Sequence, residues 1–363
     1  MKYLLIDGNN LAIRSAFANE DLTNQDGVPT GCHYGVFQSI LNFKEQFPDH
    51  QFLIVWDGKS ARRIKEASQG VEAGLVKSGY KENREKSEEE TPKPLKDFYA
   101  QAPYLKMGLD QTGIPQIRLP SFEADDVIAS YSKSLDAEEI VLVTSDKDYY
   151  QLLNDKVSIW DGMKQETITE GTFKSKFGID PVQYIDCGAL MGDTGDNIFG
   201  IPGWGEVSSL KAIKEHKTWQ AVIADLKEKY KDAREQYPDV TGDDFERLRN
   251  IRTPKEEEKF KAGQTWKGKY PDIKEDMPFT GVALAFEEKR WKPDAKLKKG
   301  FKANVTALMF EERVELAYSL KKMDSEIEDL PSIDQGTFDR EKLLEYFNYY
   351  DIVSLVDSVD LLK

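Results

Sequence analysis

Three short apolar runs in the first half of this chain end in acid. Tyr3-Leu-Leu-Ile leads into Asp7-Gly-Asn-Asn, Phe52-Leu-Ile-Val-Trp into Asp57-Gly, and Ile140-Val-Leu-Val-Thr-Ser into Asp146-Lys-Asp148. A fourth cluster, Ser121-Phe-Glu123-Ala-Asp125-Asp126, precedes the apolar run Val127-Ile-Ala. Any one of these acids is accounted for as a helix N-cap or turn residue. Four clusters at one convergent edge are not, because carboxylates without a nearby base repel and raise one another's pKa. Such a group needs a cation, and all-oxygen ligands suit Mg²⁺ or Mn²⁺ rather than zinc. Two such ions ~3.5–4 Å apart activate a water and stabilise the leaving oxygen of a phosphodiester.

The second half adds Asp193 and Asp196 in Leu190-Met-Gly-Asp-Thr-Gly-Asp-Asn, followed by Gly200-Ile-Pro-Gly203-Trp-Gly205. A glycine-rich turn opening into a helix near Val207 presents backbone N–H groups to a phosphate. Other chemistries have little support. His33, His50 and His216 are scattered, Cys32 and Cys187 form no metal-ligand spacing, and neither a P-loop nor a Gly-x-Ser-x-Gly elbow is present.

The elements that must position these acids follow from the pattern. Tyr3 to Ile6, Phe52 to Val55 and Glu139 to Thr144 read as buried parallel strands, with helices between them around Tyr34 to Phe43 and Asp125 to Ser134. Alternation of strand and helix predicts an α/β fold whose strand carboxyl ends line a ligand crevice. From Ser60 to Pro94 the chain becomes charged, with Arg62, Arg63, Lys65, Lys77, Tyr80, Lys81, Arg84 and Lys86 closed by Glu88-Glu89-Glu90. A connection of that length inside a compact domain is functional or unstructured. From Phe177 the pattern is helical. A second charged stretch at 225–305, holding Trp266, Phe279, Phe286 and Trp291, reads as an insertion without assigned function. Amphipathic helix returns from Glu311 to Leu320 and from Arg340 to Val356.

Of the 363 residues 39% are hydrophobic, and 18 Phe, 16 Tyr and 6 Trp are enough for real cores, which excludes a wholly disordered chain. Apolar runs are too short to cross a bilayer, and Met1-Lys2-Tyr3 leads straight into a strand, so no signal peptide and a cytoplasmic location are expected. The net charge of −15 taken alone argues against a nucleic-acid partner.

Six pieces in order resemble the 5′-nuclease, or flap endonuclease, family, which includes phage and bacterial 5′-exonucleases and the N-terminal nuclease domain of bacterial DNA polymerase I. They are Ile6-Asp-Gly-Asn-Asn, Trp56-Asp-Gly, Tyr80-Lys-Glu-Asn-Arg84, Phe122-Glu-Ala-Asp-Asp126, Thr144-Ser-Asp-Lys-Asp148 and Gly192-Asp-Thr-Gly-Asp-Asn197, spread over residues 1–217. The resemblance implies a PIN-like, resolvase-like parallel sheet with flanking helices over 1–176, with a helical arch at about 60–105. A helix–three-turn–helix DNA-binding module over 177–363 would carry the insertion and a helical tail.

By the same resemblance Asp7, Asp57, Glu123, Asp125, Asp126, Asp146, Asp148, Asp193 and Asp196 hold two Mg²⁺ or Mn²⁺ ions. Lys81 and Arg84 would neutralise the scissile phosphate, Asp126 would join them as a catalytic residue, and Tyr80 would stack on a base. Arg14, Arg62, Arg63, Gly203 and Gly205 would face the DNA, and the Gly200 to Gly205 turn would take a K⁺ through carbonyls. Where the family usually has a basic residue or a Lys-Thr pair after Gly205-Glu206, this chain has Val207-Ser208-Ser209.

The implied activity is structure-specific 5′ cleavage of branched or nicked DNA, or of an RNA–DNA hybrid, by a monomer working beside replication proteins. No polymerase domain is expected in the residues beyond 217. A PIN-type single-strand ribonuclease and a non-catalytic DNA-structure binder are the alternatives. With nine acids assigned to the site, the remaining chain is only six charges short of neutral, so a basic arch can still engage DNA. Flap-DNA affinity is therefore expected to be modest and to fall steeply with salt; a binding titration across a salt series gives the slope.

Overall fold

The computed structural model describes residues 1–84, 90–201, 203–229 and 311–363. Of the sequence features above, Lys86, Glu88, Glu89, Pro202 and the 225–305 stretch from residue 230 onward lie outside them.

Strand β1 (Lys2–Asp7) is the centre of a six-stranded sheet ordered β3-β2-β1-β4-β5-β6. It pairs in parallel with β2 (His50–Trp56), Leu5 opposite Leu53, and with β4 (Glu139–Val143), Leu5 opposite Leu142. The outer strands β3 (Gln116–Arg118) and β5 (Val157–Asp161) are also parallel, while β6 (Glu166–Ile168) runs antiparallel on β5. Because side chains alternate across a strand, β1 feeds two cores. Leu4 and Ile6 pack with α1 (Gly8–Ala18), α2 (Gly31–Gln46) and α4 (Lys93–Asp110). Leu5 packs on the other face with α5 (Ala124–Ser134).

That second core continues into a helical layer. It contains α6 (Glu170–Phe177), α7 (Tyr184–Met191), α8 (Glu206–His216), α9 (Trp219–Lys229) and α10 (Glu311–Lys321). A two-stranded hairpin, β7 (Gly192–Asp193) and β8 (Ile198–Phe199), joins α7 to the glycine-rich turn. The charged segment after β2 begins as helix α3 (Ala61–Glu72). Its residue Gly70 faces Leu316 of α10 so closely that a Cβ there would lie 2.4 Å from that leucine.

The last residues, grouped by sequence with the helical module, pack instead on the outer face of the sheet domain. Helix α11 (Arg340–Tyr349) and the 3-10 segment Val353–Leu362 cover α2 and α4 with Leu343, Phe347, Leu355, Val359 and Leu362. Phe347 meets Phe37 edge-on at 5.0 Å between ring centres. His33, fully buried, pairs with the Tyr346 hydroxyl and with Gln101 at 3.2 Å, and stacks on Tyr350 at 3.9 Å. Burial drives its pKa down to about 4, so it stays a neutral member of this core. The tail shares this core with α2 and α4, so truncating Phe347 to Ala is expected to destabilise the whole domain by about 3–5 kcal/mol, measured by urea unfolding.

Candidate active site

Six of the acids, Asp7, Asp57, Asp125, Asp126, Asp146 and Asp193, are held at one oxygen by a backbone N–H. Asp7, the last residue of β1, caps α1 by accepting the Asn10 N–H at 2.9 Å, and its second oxygen accepts the Tyr149 hydroxyl at 3.1 Å. Asp57 follows β2 and accepts the Ala124 N–H at 2.9 Å, which ties it to the start of α5. Glu123 stands at the cap position of α5, with Asp125 and Asp126 in its first turn. Asp146 opens the 3-10 turn Lys147–Leu152 and accepts the Asp148 N–H at 2.9 Å. Asp193 accepts the Gly195 N–H at 2.8 Å within the hairpin. Seven of the nine expected carboxylates, Asp7, Asp57, Glu123, Asp125, Asp146, Asp148 and Asp196, line one pocket over the switch point where β2 and β4 flank β1. Asp126, fully buried, lies behind them, and Asp193 is joined to Asp148 by a lysine described below.

Two asparagines absent from the sequence-based site hold the strand ends together. Asn9 accepts the Asp57 N–H at 3.2 Å, and Asn10 accepts the Ser145 hydroxyl at 3.1 Å, so the residues after Asp7 brace both neighbouring strands. Their signal was the unusual Asp-Gly-Asn-Asn run itself. Gly58 is equally dictated, because a Cβ there would sit 2.1 Å from the Leu119 carbonyl oxygen.

Cations lie between the carboxylates. Arg63, buried at 1% exposure, donates to Glu123 at 2.6 Å, to Asp125 at 2.8 and 3.1 Å and to Asp126 at 2.9 Å. Lys81 donates to Glu123 at 2.9 Å and lies 3.8 Å from Asp196, while Arg84 pairs with Asp196. The Tyr80 hydroxyl donates to Glu123 at 2.9 Å, and the Lys81 ammonium sits 4.9 Å above its ring. The segment around Gly79 to Asn83 is pinned to the hairpin through the Lys81 N–H on the Asp196 carbonyl at 2.9 Å, Asn83 on the Thr194 carbonyl at 2.7 Å and Asn197 on the Gly79 carbonyl at 2.5 Å.

Other expected DNA-facing groups lie elsewhere. Arg63 is drawn inward by three carboxylates, and Arg62 donates to the Ser319 and Lys322 carbonyls at 2.8 and 2.6 Å, closing the end of α10. Arg14 lies half-buried beside the β5–β6 turn at Gly162, outside the carboxylate pocket. In the glycine-rich turn Gly203 has φ +86°, and the Gly205 N–H donates to Ser208 Oγ at 2.9 Å, so Ser208 serves the backbone at the start of α8.

One residue escaped the sequence reading altogether. Lys321, at 5% exposure, comes from the last turn of α10 and donates to both oxygens of Asp148 at 2.9 and 2.7 Å and to Asp193 at 2.6 Å. Its only sequence signal was a lysine at the end of an amphipathic helix, which ordinarily answers the helix dipole.

The pocket strongly favours positive charge. Burial, then the neighbouring Asp57 and Asp146, pushes the Asp7 carboxyl up to about 8. Burial and Asp125 push Asp126 up to about 7, and burial with Asp146 outweighs Lys321 to bring Asp148 to about 7. Burial also opposes ionisation of Asp125 and Asp193, but Arg63 and Lys321 respectively override it and hold these two below the ordinary carboxylate value. The buried Asp126 Oδ2 has no hydrogen-bond partner. An all-oxygen donor set, mutual repulsion and an unpartnered buried oxygen fit hard divalent cations. Among the described residues no three acids are already drawn around one point as ligands of a single ion, since Arg63, Lys81 and Lys321 lie between them.

Comparison with known proteins places this geometry in a class. The family model for the 5′-3′ exonuclease N-terminal resolvase-like domain matches residues 2–178, and that for the 5′-3′ exonuclease C-terminal SAM fold matches 179–257. The chain belongs to the 5′-3′ exonuclease family. It is 32% identical over 227 residues to the thermostable DNA polymerase I of Thermus thermophilus, covering 62% of this chain and 25% of that one. To DNA polymerase I of Bacillus subtilis it is 33% identical over 251 residues, covering 66% and 26%. It thus spans about a quarter of the length of these relatives. Among solved structures, T5 5′-exonuclease with bound divalent metal ions (zinc) superposes with a TM-score of 0.51 at 25% identity, over 62% of this chain and 79% of that one. The catalytic core of Rad2 in complex with DNA substrate shares the fold, with a TM-score of 0.53 at 15% identity, over 99% and 92%. Among the described residues no helix is long and apolar enough to cross a membrane.

The raised pKa values carry a definite pH dependence. As pH rises from about 4 to about 8 the unfolded chain has released protons that Asp7, Asp126 and Asp148 still hold, so without metal these groups increasingly destabilise the native state. Divalent ions require the ionised carboxylates and reverse this penalty. The gain in Tm on adding Mg²⁺ is expected to grow from pH 6 to pH 8, as read by thermal denaturation with and without EDTA.

Proposed function

We propose that this chain is a divalent-metal-dependent 5′ nuclease that hydrolyses phosphodiesters at flaps, nicks and 5′ ends of DNA, and of RNA–DNA hybrids. The observation that carries the reading is the meeting of acids from four strand-end and helix-start positions with Lys81 and Arg84 of the arch at one opening. When bound, Mg²⁺ or Mn²⁺ would activate the attacking water and neutralise the leaving oxygen, held by Asp7, Asp57, Glu123, Asp125, Asp126 and Asp146 on the β1 side and by Asp148, Asp193 and Asp196 on the hairpin side. Lys81 and Arg84 bind the scissile phosphate, their ammonium and guanidinium N–H groups donating charge-assisted hydrogen bonds to its oxygens. Asn9 and Asn10 keep the strand-end acids in register while the phosphate enters.

The Gly200 to Gly205 turn offers the N–H groups at the start of α8 to the duplex backbone, and its carbonyls are the place for a K⁺. None of these contacts reads a base edge, so selectivity comes from ends and shape. The known metal-bound and DNA-bound relatives support this reading, as does the hairpin-and-turn unit, which a single-strand ribonuclease of this fold does not need. The natural setting is the clearing of flaps or primers in replication or repair, by a monomer in the cytoplasm.

A single-turnover digest of a 5′-labelled flap duplex tests it. A discrete Mg²⁺-dependent product near the junction, abolished by EDTA, is expected. Lys81→Ala is expected to slow that step by about 10²–10³-fold while Mn²⁺ binding persists. Flap binding without cleavage in either metal, or faster cleavage of single-stranded RNA, would overturn the proposal.

A further inference from the structure

Lys321 spends all three of its N–H donors on two of the acids that would hold metal. Its ammonium meets Asp148 Oδ1 at 2.9 Å, Asp148 Oδ2 at 2.7 Å and Asp193 Oδ2 at 2.6 Å. The lysine is not a surface side chain that happens to fold back. Its stem crosses α7 at Gly188, where the nearest lysine carbons lie 3.6 Å from the place a Cβ would occupy.

The backbone around it is fixed by the site itself. Gln151 Nε2 donates to the Lys321 carbonyl at 3.1 Å and Gln151 Oε1 accepts the Met323 N–H at 3.1 Å. The Asp324 N–H donates to Asp126 at 2.7 Å, and Arg62 grips the Ser319 and Lys322 carbonyls. Five hydrogen bonds thus fix the backbone that carries this lysine, which is buried at 5% exposure. Arg84, by contrast, has a half-exposed side chain free to leave its partner.

We propose that Lys321 is a built-in competitor for a divalent cation at the Asp148–Asp193 end of the site, so that the second ion binds only by displacing its ammonium. This rests on the reading of the carboxylates as metal ligands given above. The two ends of the site then differ in kind. At the Asp7, Asp57 and Asp146 end no buried lysine pairs with the acids among the described contacts, and carboxylate repulsion favours a cation directly. At the Asp148–Asp193 end a monovalent charge already satisfies the same oxygens, and a divalent ion gains only the difference. Occupancy of the second position becomes the step that metal concentration controls. Once displaced, the ammonium remains tethered within a side-chain length of the pocket, as a further positive group for an incoming phosphate.

Calorimetric titration of the purified protein with Mn²⁺ in the absence of DNA provides the test. The wild type is expected to show a tighter and a weaker site. Lys321→Met should tighten the weaker one by roughly tenfold, and Lys321→Arg should leave it weak. In EDTA the Met variant should melt lower than wild type and recover on adding Mn²⁺, because the ion replaces the missing charge; a lysine serving only packing would leave the loss unrepaired. Independently of any variant, the Lys321 ammonium resonance of the wild type should move with the second equivalent of Mg²⁺ and not with the first. Two sites of unchanged affinity in Lys321→Met, or an ammonium unaffected by both equivalents, overturns the proposal. No Mn²⁺ binding by the wild type would instead sink the metal reading and this inference with it.

Discussion

Repulsion among carboxylates gathered at one edge of a parallel sheet is the constraint around which the molecule is arranged. Nine acids lie at or beside one pocket, and Arg63, Lys81, Arg84 and Lys321 offset only part of their charge. The fold tolerates this at the three strand ends by giving a backbone donor to one oxygen of Asp7, Asp57 and Asp146. Asp7 caps α1, Asp57 holds the first N–H of α5 and Asp146 caps its own turn. A helix N-cap and a metal ligand are commonly weighed as rival explanations of an aspartate after a strand. Here they are one explanation, because the capping bond is what aims the second oxygen.

The compensating cations come from segments far apart in the chain, and this ties the site to the whole architecture. Arg63 belongs to α3, Lys81 precedes the 3-10 turn Glu82–Arg84 and Lys321 closes α10, which lies beyond the charged stretch. Helices α3 and α10 are themselves joined by Arg62 on the α10 carbonyls, by the Ser319 hydroxyl on Glu66 at 2.8 Å and by the fit of Leu316 over Gly70. Helix α3 and the lysine that enters the pocket are therefore parts of one packed unit. A shift of α3 moves Arg63 and, through the same contacts, the end of α10.

Much of the sheet was legible because buried parallel strands read as unbroken apolar runs, and the central three did so. Strand β3 has three residues and β5 carries Ser158 among its apolar positions, so neither stands out from the surrounding pattern. The convergence of Asp7, Asp57 and Asp146 was legible because the carboxyl ends of neighbouring parallel strands meet at one edge. Lys321 was not, since a lysine at the end of a helix is unremarkable until tertiary packing shows which face it occupies. Arg62 and Arg63 were expected to face DNA. They occupy positions one residue apart on α3, a rotation that sends Arg63 under the carboxylates and Arg62 to α10. The tail was grouped by sequence order with the helices before it, whereas Phe347 and Leu343 found their apolar partners on α2 and α4.

The same distribution of charge explains how a chain of net charge −15 can address a polyanion. Its long-range field is unfavourable, so attraction must be local and appear only where the acids have been neutralised. In the structure Lys81 and Arg84 are engaged by Glu123 and Asp196. On the proposed reading, divalent cations at those carboxylates weaken these pairs and turn the same two side chains toward phosphate. One set of basic groups thus serves two anionic partners in turn, first the protein's own acids and then the substrate. Affinity for nucleic acid is then linked to metal occupancy through side chains that belong to neither partner alone, and each must strengthen the other by the same factor.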